Sequence, residues 1–179
     1  MENTQVRFAN ISIKASDEFM QAVNEEREFG EETYLVYKKQ NKNLCMNAIQ
    51  DEEEIHYSSG IPSKNLDEYV LLENFGSLLE LDKWLSKEYR ENITQDNLGD
   101  PHQRDIFGDY NIKLKSEDYD LAIKQAGDFL LYFDSPQTNE VRELIKAREI
   151  WDQFIEGNYK TAEPGLIFWT TMSKYSPSN

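Results

Sequence analysis

The residue types best suited to catalysis are scarce in this chain. Its two histidines, His56 and His102, lie too far apart in sequence to be the pair one helical turn apart that zinc proteases use. Cys45 is the only cysteine, which excludes an internal disulfide and a zinc site built on cysteines. Neighbouring Asp100 and Asp105 could orient His102 as a general base, but a solvated loop histidine is the plainer interpretation. We therefore predict no catalytic residue and no metal site.

The glycines exclude two common nucleotide-binding motifs. None of the eight glycines lies two positions from another and none precedes a lysine, so a dinucleotide fingerprint and a P-loop are both absent. The chain also has no Gly-x-Ser-x-Gly nucleophile elbow. We accordingly expect a protein that is not an enzyme and that uses no cofactor. A carboxylate-dependent hydrolase is the weaker alternative, because acids are too numerous for any one pair to be informative.

A short repeat places carboxylates on both sides of two glycines. Asp96–Asp100 and Asp105–Asp109 share the form Asp-x-apolar-Gly-Asp. One interpretation is a carboxylate cluster that binds Ca²⁺ or a basic partner, and the other is two turns, each with its glycine at positive φ. Counted from Asp96, the sixth and twelfth residues are Pro101 and Phe107, where an EF-hand loop has Gly and Glu. A dedicated calcium site is therefore disfavoured, and turns and partner contact both stay open.

Acidic residues dominate the composition. The 179 residues include 34 Asp and Glu against 19 Lys and Arg, a formal charge of −15. The acids concentrate at 17–32, 51–54 and 91–120, where like charges repel one another and lower stability. Such a surface repels nucleic acid and anionic lipid and attracts cations, so we expect a basic protein partner, no nucleic acid and no membrane. Solubility alone is the plain alternative.

The second and third of these clusters, with one tyrosine, form the predicted partner-binding surface. Its residues are Asp51, Glu52, Glu53, Glu54, Asp96, Asp100, Asp105, Asp109, Tyr110, Glu117, Asp118 and Asp120. Tyr119 is a second candidate for an aromatic anchor, since tyrosines often contribute much of the binding energy at interfaces.

In its size, acidity and lack of catalytic motifs, the chain is similar to the immunity proteins of bacterial toxin–immunity pairs, such as those of contact-dependent inhibition. The resemblance implies a dedicated toxin as partner. Because a nuclease holds nucleic acid in a basic cleft, an acidic inhibitor can block a nuclease-like toxin domain without chemistry of its own. A phage or plasmid protein that mimics DNA to block a defence system is the alternative.

The first residues and the apolar runs predict a cytoplasmic protein. Residues 1–14 lack the apolar core of a secretory signal. The longest apolar run, Phe129–Phe133, is far shorter than the roughly 20 residues that span a bilayer. A single cysteine also suits a reducing compartment.

Capping residues and apolar spacing predict the helices. Ser16 precedes two acids and a helical apolar pattern, and Ser77 and Glu80 form a capping box. Residues 94–110 have no clear period and are predicted to be a loop. The predicted helices are 17–28, 78 to about 93, 117 to about 126, and 135–136 to 157–158.

Short runs of β-branched and aromatic residues predict the strands. They are 6–13, 33–39, 44–50, 55–57, 69–72, 111–115 and 166–172, with 129–133 either a buried strand or a continued helix. Helices and strands are mixed without a regular βαβ alternation, which favours the α+β class. We expect a single domain at 1–172, a mostly antiparallel sheet of five to seven strands with three to four helices packed on it, and a flexible tail at 173–179.

Overall fold

The computed structural model describes residues 12–40, 64–135 and 139–175, which form eight strands and five helices. The strands are β1 (Ser12–Ala15), β2 (Tyr34–Gln40), β3 (Tyr69–Phe75), β4 (Tyr110–Ile112), β5 (Tyr119–Gln125), β6 (Asp128–Ser135), β7 (Asn139–Lys146) and β8 (Gly165–Phe168). The helices are α1 (Asp17–Phe29), α2 (Leu78–Tyr89), α3 (Gln95–Gly99), α4 (Ala147–Thr161) and α5 (Trp169–Tyr175). Within these ranges, no helix has the length and apolar character needed to cross a membrane.

The described strands form three sheets. The largest has the antiparallel order β3-β2-β5-β4, and β6 pairs with β7 as an antiparallel hairpin. Strands β1 and β8 come from distant parts of the chain and pair in parallel, with Ile13 opposite Leu166. The predicted α+β class with mostly antiparallel strands is confirmed, with the strands divided among three sheets instead of one.

Helix α2 packs on the four-stranded sheet. Ser77 caps it as predicted, and the Ser77 Oγ accepts a hydrogen bond from the N–H of Glu80 at 3.4 Å. Leu81 and Leu85, one turn apart, are fully buried in a cluster that includes Val36 of β2 and residues of β5. Burying each such side chain stabilises the fold by about 1.5–3 kcal/mol, so this cluster holds the helix on the sheet.

Helix α1 lies against α4 and carries the predicted Ser16 cap. The Ser16 Oγ accepts from the N–H of Phe19 at 3.4 Å, and the helix ends at Gly30, whose φ of 84° ends the helical geometry. Ala22 and Val23 of α1 are buried with a residue of α4. This contact joins α1 to the part of the molecule that contains the β6–β7 hairpin.

The helix predicted at 117–126 is wrong, because this segment is strand β5. It pairs with β2 on one side and β4 on the other. Leu121 and Ile123 enter the cluster beneath α2, whereas Ala122 and Lys124 are buried at alternating positions. A strand with both faces buried lacks the alternation of apolar and polar residues that identifies most strands, so its pattern resembles that of a helix.

The helix predicted to begin at 135–136 begins at Ala147 instead. The preceding residues, Asn139–Lys146, form β7 and pair along their whole length with β6. The same pairing decides the alternative at 129–133 in favour of a strand. Apolar residues such as Leu144 and Ile145 suit either period, and the neighbouring strand supplies the hydrogen bonds that select one.

The remaining differences concern element ends and one loop. Helix α2 ends at Tyr89, earlier than the predicted end near residue 93. The strand predicted at 166–172 gives way at Trp169 to α5, which extends into the predicted tail. The predicted loop at 94–110 contains α3 and a 3-10 turn at Pro101–Gln103. The helix at 17–28 and the strand at 33–39 are confirmed to within one residue at each end. Predicted strands 44–50 and 55–57, and nearly all of 6–13, lie outside the described residues.

Candidate functional site

The two copies of the acidic repeat adopt different structures. Most of the first copy, Asp96–Asp100, lies in α3, which begins with a capping box between Thr94 and Asn97. The second, Asp105–Asp109, is a turn in which Gly108 has a φ of +88°. The turn interpretation is therefore correct for the second copy. It is wrong for the first, whose glycine ends a helix.

Asp105 organises the second turn from within. Its Oδ1 accepts hydrogen bonds from the N–H groups of Phe107 at 3.0 Å and Asp109 at 2.9 Å, and its Oδ2 accepts from Asn111 Nδ2 at 2.8 Å. Burial, followed by the nearby charge of Asp109, raises the pKa of the Asp105 carboxyl. These contacts occupy both oxygens, so Asp105 serves the turn itself.

Asp100 and Asp120 also accept local backbone hydrogen bonds. Asp100 Oδ1 accepts from the N–H of His102 at 2.9 Å, which lowers the pKa of Asp100. Asp120 Oδ1 accepts from the N–H of Leu114 at 3.1 Å and ties β5 to the chain that follows β4. Both residues are half-buried, and each contributes to a turn whether or not a partner is bound.

Asp109 is fully buried and forms an ion pair with Lys64, so the structure removes it from the predicted contact surface. The Lys64 ammonium also lies 3.8 Å from the centroid of the Tyr69 ring. The backbone turn at Gly108 directs the carboxylate inward, where a partner cannot reach it. Tyr110 is half-buried against the cluster beneath α2, as are Tyr89 and Tyr119.

Arg104 joins the two repeat copies, a role that the sequence pattern did not reveal. Its Nε donates to the carbonyl of Leu98 at 3.0 Å and its Nη1 to the carbonyl of Gly108 at 2.7 Å. Its Nη2 lies 3.3 Å from Asp128 Oδ2, and the side chain is 1% exposed. Burial lowers the pKa of the guanidinium, and the Asp128 carboxylate opposes that change. The usable signal was that Arg104 is the single Lys or Arg among residues 91–112.

A second set of buried charges lies between α1 and the large sheet. Lys124 Nζ is 2.7 Å from Glu25 Oε2, and Tyr37 Oη donates to Glu25 Oε1 at 2.6 Å. Burial, followed by the charge of Glu25, raises the pKa of Tyr37 far above its ordinary range, so the phenol acts as a donor and not as a base. Glu18 and Glu25 belong to the cluster predicted at 17–32, but both are buried, because positions seven apart share one face of a helix.

The described interior contains acids and bases in nearly equal numbers. It holds four carboxylates and three cations, namely Glu18, Glu25, Asp109 and Asp128 with Lys64, Arg104 and Lys124. Burial of unpaired charge is strongly unfavourable, which explains this near balance. Among the described residues, folding therefore leaves almost the whole excess of acid over base outside the buried interior.

Exposed acids and two tyrosines meet where α2 ends beside the start of β5. The hydroxyl oxygens of Tyr89 and Tyr119 lie 3.2 Å apart. Burial, then the Tyr119 hydroxyl, and then the charges of Glu117 and Glu88 raise the pKa of Tyr89. Glu88 directly precedes Tyr89 in the chain, and Glu117 lies two residues before Tyr119. We call Tyr89, Tyr119, Glu88, Glu117 and Asp118 the tyrosine face.

The predicted acidic contact residues thus separate into three groups. Asp96, Glu117 and Asp118 are exposed, and the last two lie on the tyrosine face. The turn acids and Asp109 have structural roles, as described above. Asp51, Glu52, Glu53 and Glu54 lie outside the described residues.

A cleft of about 530 Å³ opens between α1 and strands β2 and β3. Its described lining has acids and amides beside apolar side chains, and none of those lining residues is basic. The lining residues are Asp17, Met20, Gln21, Asn24, Glu25, Glu28, Phe29, Tyr37, Leu66 and Leu71. Such a cleft can accept an ammonium or guanidinium group, with its methylene stem against the apolar wall.

No metal-binding constellation occurs in residues 12–40, 64–135 and 139–175. Nowhere in these ranges do three His, Cys, Asp or Glu residues gather in a group able to hold a metal ion. His102 is exposed on the 3-10 turn, as expected for a solvated loop histidine.

Comparison with known proteins relates one part of the chain to a much larger enzyme. A stretch of 72 residues, 40% of the chain, is 36% identical to part of a vitamin B12-dependent ribonucleoside-diphosphate reductase from Thermoplasma acidophilum. The match spans 9% of the length of that reductase. No family model matches the chain, and no solved structure matches it.

Proposed function

We propose that this chain is an acidic binding protein that neutralises a basic protein partner, and that the partner is a nuclease-like bacterial toxin domain. The observation that carries the proposal is the near balance of charge in the described interior, which leaves the carboxylate excess of the described residues outside that interior. A nuclease presents a basic cleft to nucleic acid, and an acidic protein can occupy that cleft without chemistry of its own. In this role the chain is an immunity protein.

The tyrosine face is the proposed centre of contact. Tyrosines with acids at their rim combine a rigid apolar anchor with charges that attract a cationic surface. Lys38 of the chain itself places its Nζ 3.9 Å from the centroid of the Tyr119 ring, so this ring already accepts a cation. A lysine or arginine of the partner would make the same kind of contact beside Glu117.

The acidic cleft beside α1 is the proposed second contact. Asp17 and Glu28 line it without a basic neighbour in the described lining, and Phe29 and Met20 offer apolar surface. A long cationic side chain from the partner would place its stem on the apolar wall and its charge near the carboxylates.

The proposal is tested by affinity capture from the native host, with charge-reversed variants compared with the unmodified protein. We expect the unmodified chain to retain a basic protein, and the double variant Glu117→Lys/Asp118→Lys to bind it at least about tenfold more weakly. Captured protein is identified by mass spectrometry, and its nuclease activity is assayed with and without the chain. Inhibition of a nuclease by the unmodified chain supports the immunity role.

The matched control reverses the same number of charges elsewhere. Glu143 of β7 and Glu149 of α4 are exposed, so Glu143→Lys/Glu149→Lys changes the net charge equally. Equal loss with both variants would contradict the tyrosine face as the contact. Capture of a DNA-binding defence protein, displaced by duplex DNA, would favour the DNA mimic. Failure to retain any basic protein would contradict both functions.

A further inference from the structure

An apolar pocket of about 230 Å³ opens between α1, α4, β6 and the β1–β8 pair. Four aromatic rings form much of its wall. The rings of Phe19 and Phe129 meet edge to face at 5.3 Å, and those of Trp151 and Phe154 lie 5.5 Å apart. The other lining residues are Ile13, Lys14, Ala15, Ser16, Leu131, Ile150 and Leu166.

The pocket has a mouth and is not a closed packing defect. Ile13 and Leu131 line it while remaining 41% and 40% exposed. Its volume is below the roughly 300–1,000 Å³ of pockets that hold drug-sized ligands. At about 30 Å³ for a group the size of a water molecule, it admits roughly eight heavy atoms. These dimensions select a short apolar chain or a single ring.

Lys14 is the one charged residue in the described lining. Its Nζ lies 3.6 Å from the centroid of the Trp169 ring, and no carboxylate pairs with it among the described residues. Each buried cation of the described fold, by contrast, forms an ion pair. Ser16, the other polar lining residue, uses its Oγ to cap α1. An apolar pocket beside a cation that lacks a carboxylate suits a ligand with an apolar tail and an anionic head.

We propose that this pocket binds a small amphipathic carboxylate, with its apolar tail against the aromatic walls and its carboxylate paired with Lys14. The tail leaves water for apolar surface, which is the main source of affinity. The carboxylate adds an exposed ion pair and fixes the direction of the ligand. This inference is independent of the tyrosine face and of any basic partner.

Octanoate is the probe, with octanol as its uncharged match, both titrated at about 0.15 M salt so that distant acids are screened. Two-dimensional NMR follows the indole N–H signals of the tryptophans. We expect octanoate to shift the Trp151 and Trp169 signals saturably. Trp84, which packs with Phe75 and Tyr89 beneath α2, is the internal control and should not move.

Substitutions at two positions distinguish the contribution of the apolar pocket from that of Lys14. Lys14→Gln should weaken octanoate by about threefold to fivefold, the contribution of an exposed ion pair, and leave octanol unchanged. Leu131→Trp should fill the mouth and abolish binding of both probes, whereas Leu131→Ala should keep it. Thermal unfolding verifies that each variant is folded, and Ile13→Trp replaces Leu131→Trp if the latter is not.

Each result bears directly on the inference. Saturable shifts that give a higher affinity for octanoate than for octanol support it, provided that this difference in affinity disappears in Lys14→Gln. The absence of a saturable octanoate shift overturns the pocket as a ligand site. Equal affinities for octanoate and octanol in the unmodified protein overturn the assignment of the carboxylate to Lys14.

Discussion

The two Asp-x-apolar-Gly-Asp segments share one sequence pattern, yet one forms most of a short helix and the other forms a turn directed into the interior. A Cβ added at Gly99 would meet nothing within 4 Å, whereas one added at Gly108 would lie 3.1 Å from the backbone nitrogen of Leu130. Asp100 caps a 3-10 turn near the surface, whereas Asp109 is fully buried. The sequence pattern is therefore compatible with either a helix end or a turn. In the second copy, the contacts with β6 and with Lys64 accompany the turn.

The largest difference between the two copies should appear at their last residues. Asp109→Ala leaves the Lys64 ammonium buried without its carboxylate, which should lower the free energy of unfolding by about 3–5 kcal/mol. Asp100→Ala removes only a local cap and should cause a clearly smaller loss. Urea denaturation of both variants measures the two losses. Similar losses would show that the buried pair is no more important than the surface cap.

The glycines should show the next largest difference. Gly108→Ala combines a positive φ with a close backbone contact and should lower the free energy of unfolding by about 1–3 kcal/mol. Gly99→Ala has open space and a helical position, so it should change stability by less than about 0.5 kcal/mol or raise it slightly. The same denaturation assay compares them. A neutral Gly108→Ala would contradict the turn geometry.

The first residues of the copies should differ in their pH dependence. Because burial raises the folded-state pKa of Asp105 above its ordinary value of 3.8, the folded state holds that proton more tightly than the unfolded state. Asp105 therefore lowers stability as pH rises from 3.8 through its folded-state pKa. Asp105→Asn removes this loss, so its stability relative to the unmodified protein should increase across that window.

Urea denaturation at a series of pH values measures this effect. The new amide at position 105 can also change stability by an amount that does not depend on pH. The change of the stability difference with pH separates this constant effect from the effect of the carboxyl titration. The exposed Asp96, the first residue of the other copy, supplies the matched variant, Asp96→Asn, which changes the net charge equally. A pH-independent difference for Asp105→Asn would contradict the influence of burial on this carboxyl.

The parts of the fold that could be predicted depend on local signals. Ser16 and Ser77 cap the first helical turns, and the apolar stripes that follow lie within one chain segment, so α1 and α2 were found. Strands β5 and β7 were missed because their apolar residues fit a helical period as well as a buried strand. Their pairing with distant segments decided between the two.

The residues of the candidate site likewise separate into those that local sequence predicted and those that depend on contacts between distant segments. Glu117 and Asp118 were predicted as contact residues and are exposed on the tyrosine face, whereas Tyr89 was not singled out. Its role depends on its hydroxyl contact with Tyr119, thirty positions away, which no local pattern contains. The Arg104 network was missed for the same reason, although a single arginine in an acidic segment was a usable signal.

Composition determined the charge excess, and the order of the residues determined the absence of the nucleotide-binding and nucleophile motifs and the two helices with local caps. Tertiary structure alone decided which carboxylates face inward, because a buried carboxylate is stabilised where a cation from another segment lies beside it. Lys64 with Asp109, and Lys124 with Glu25, are such meetings between residues far apart in the chain. The surface charge available to a partner is what remains after these pairs form.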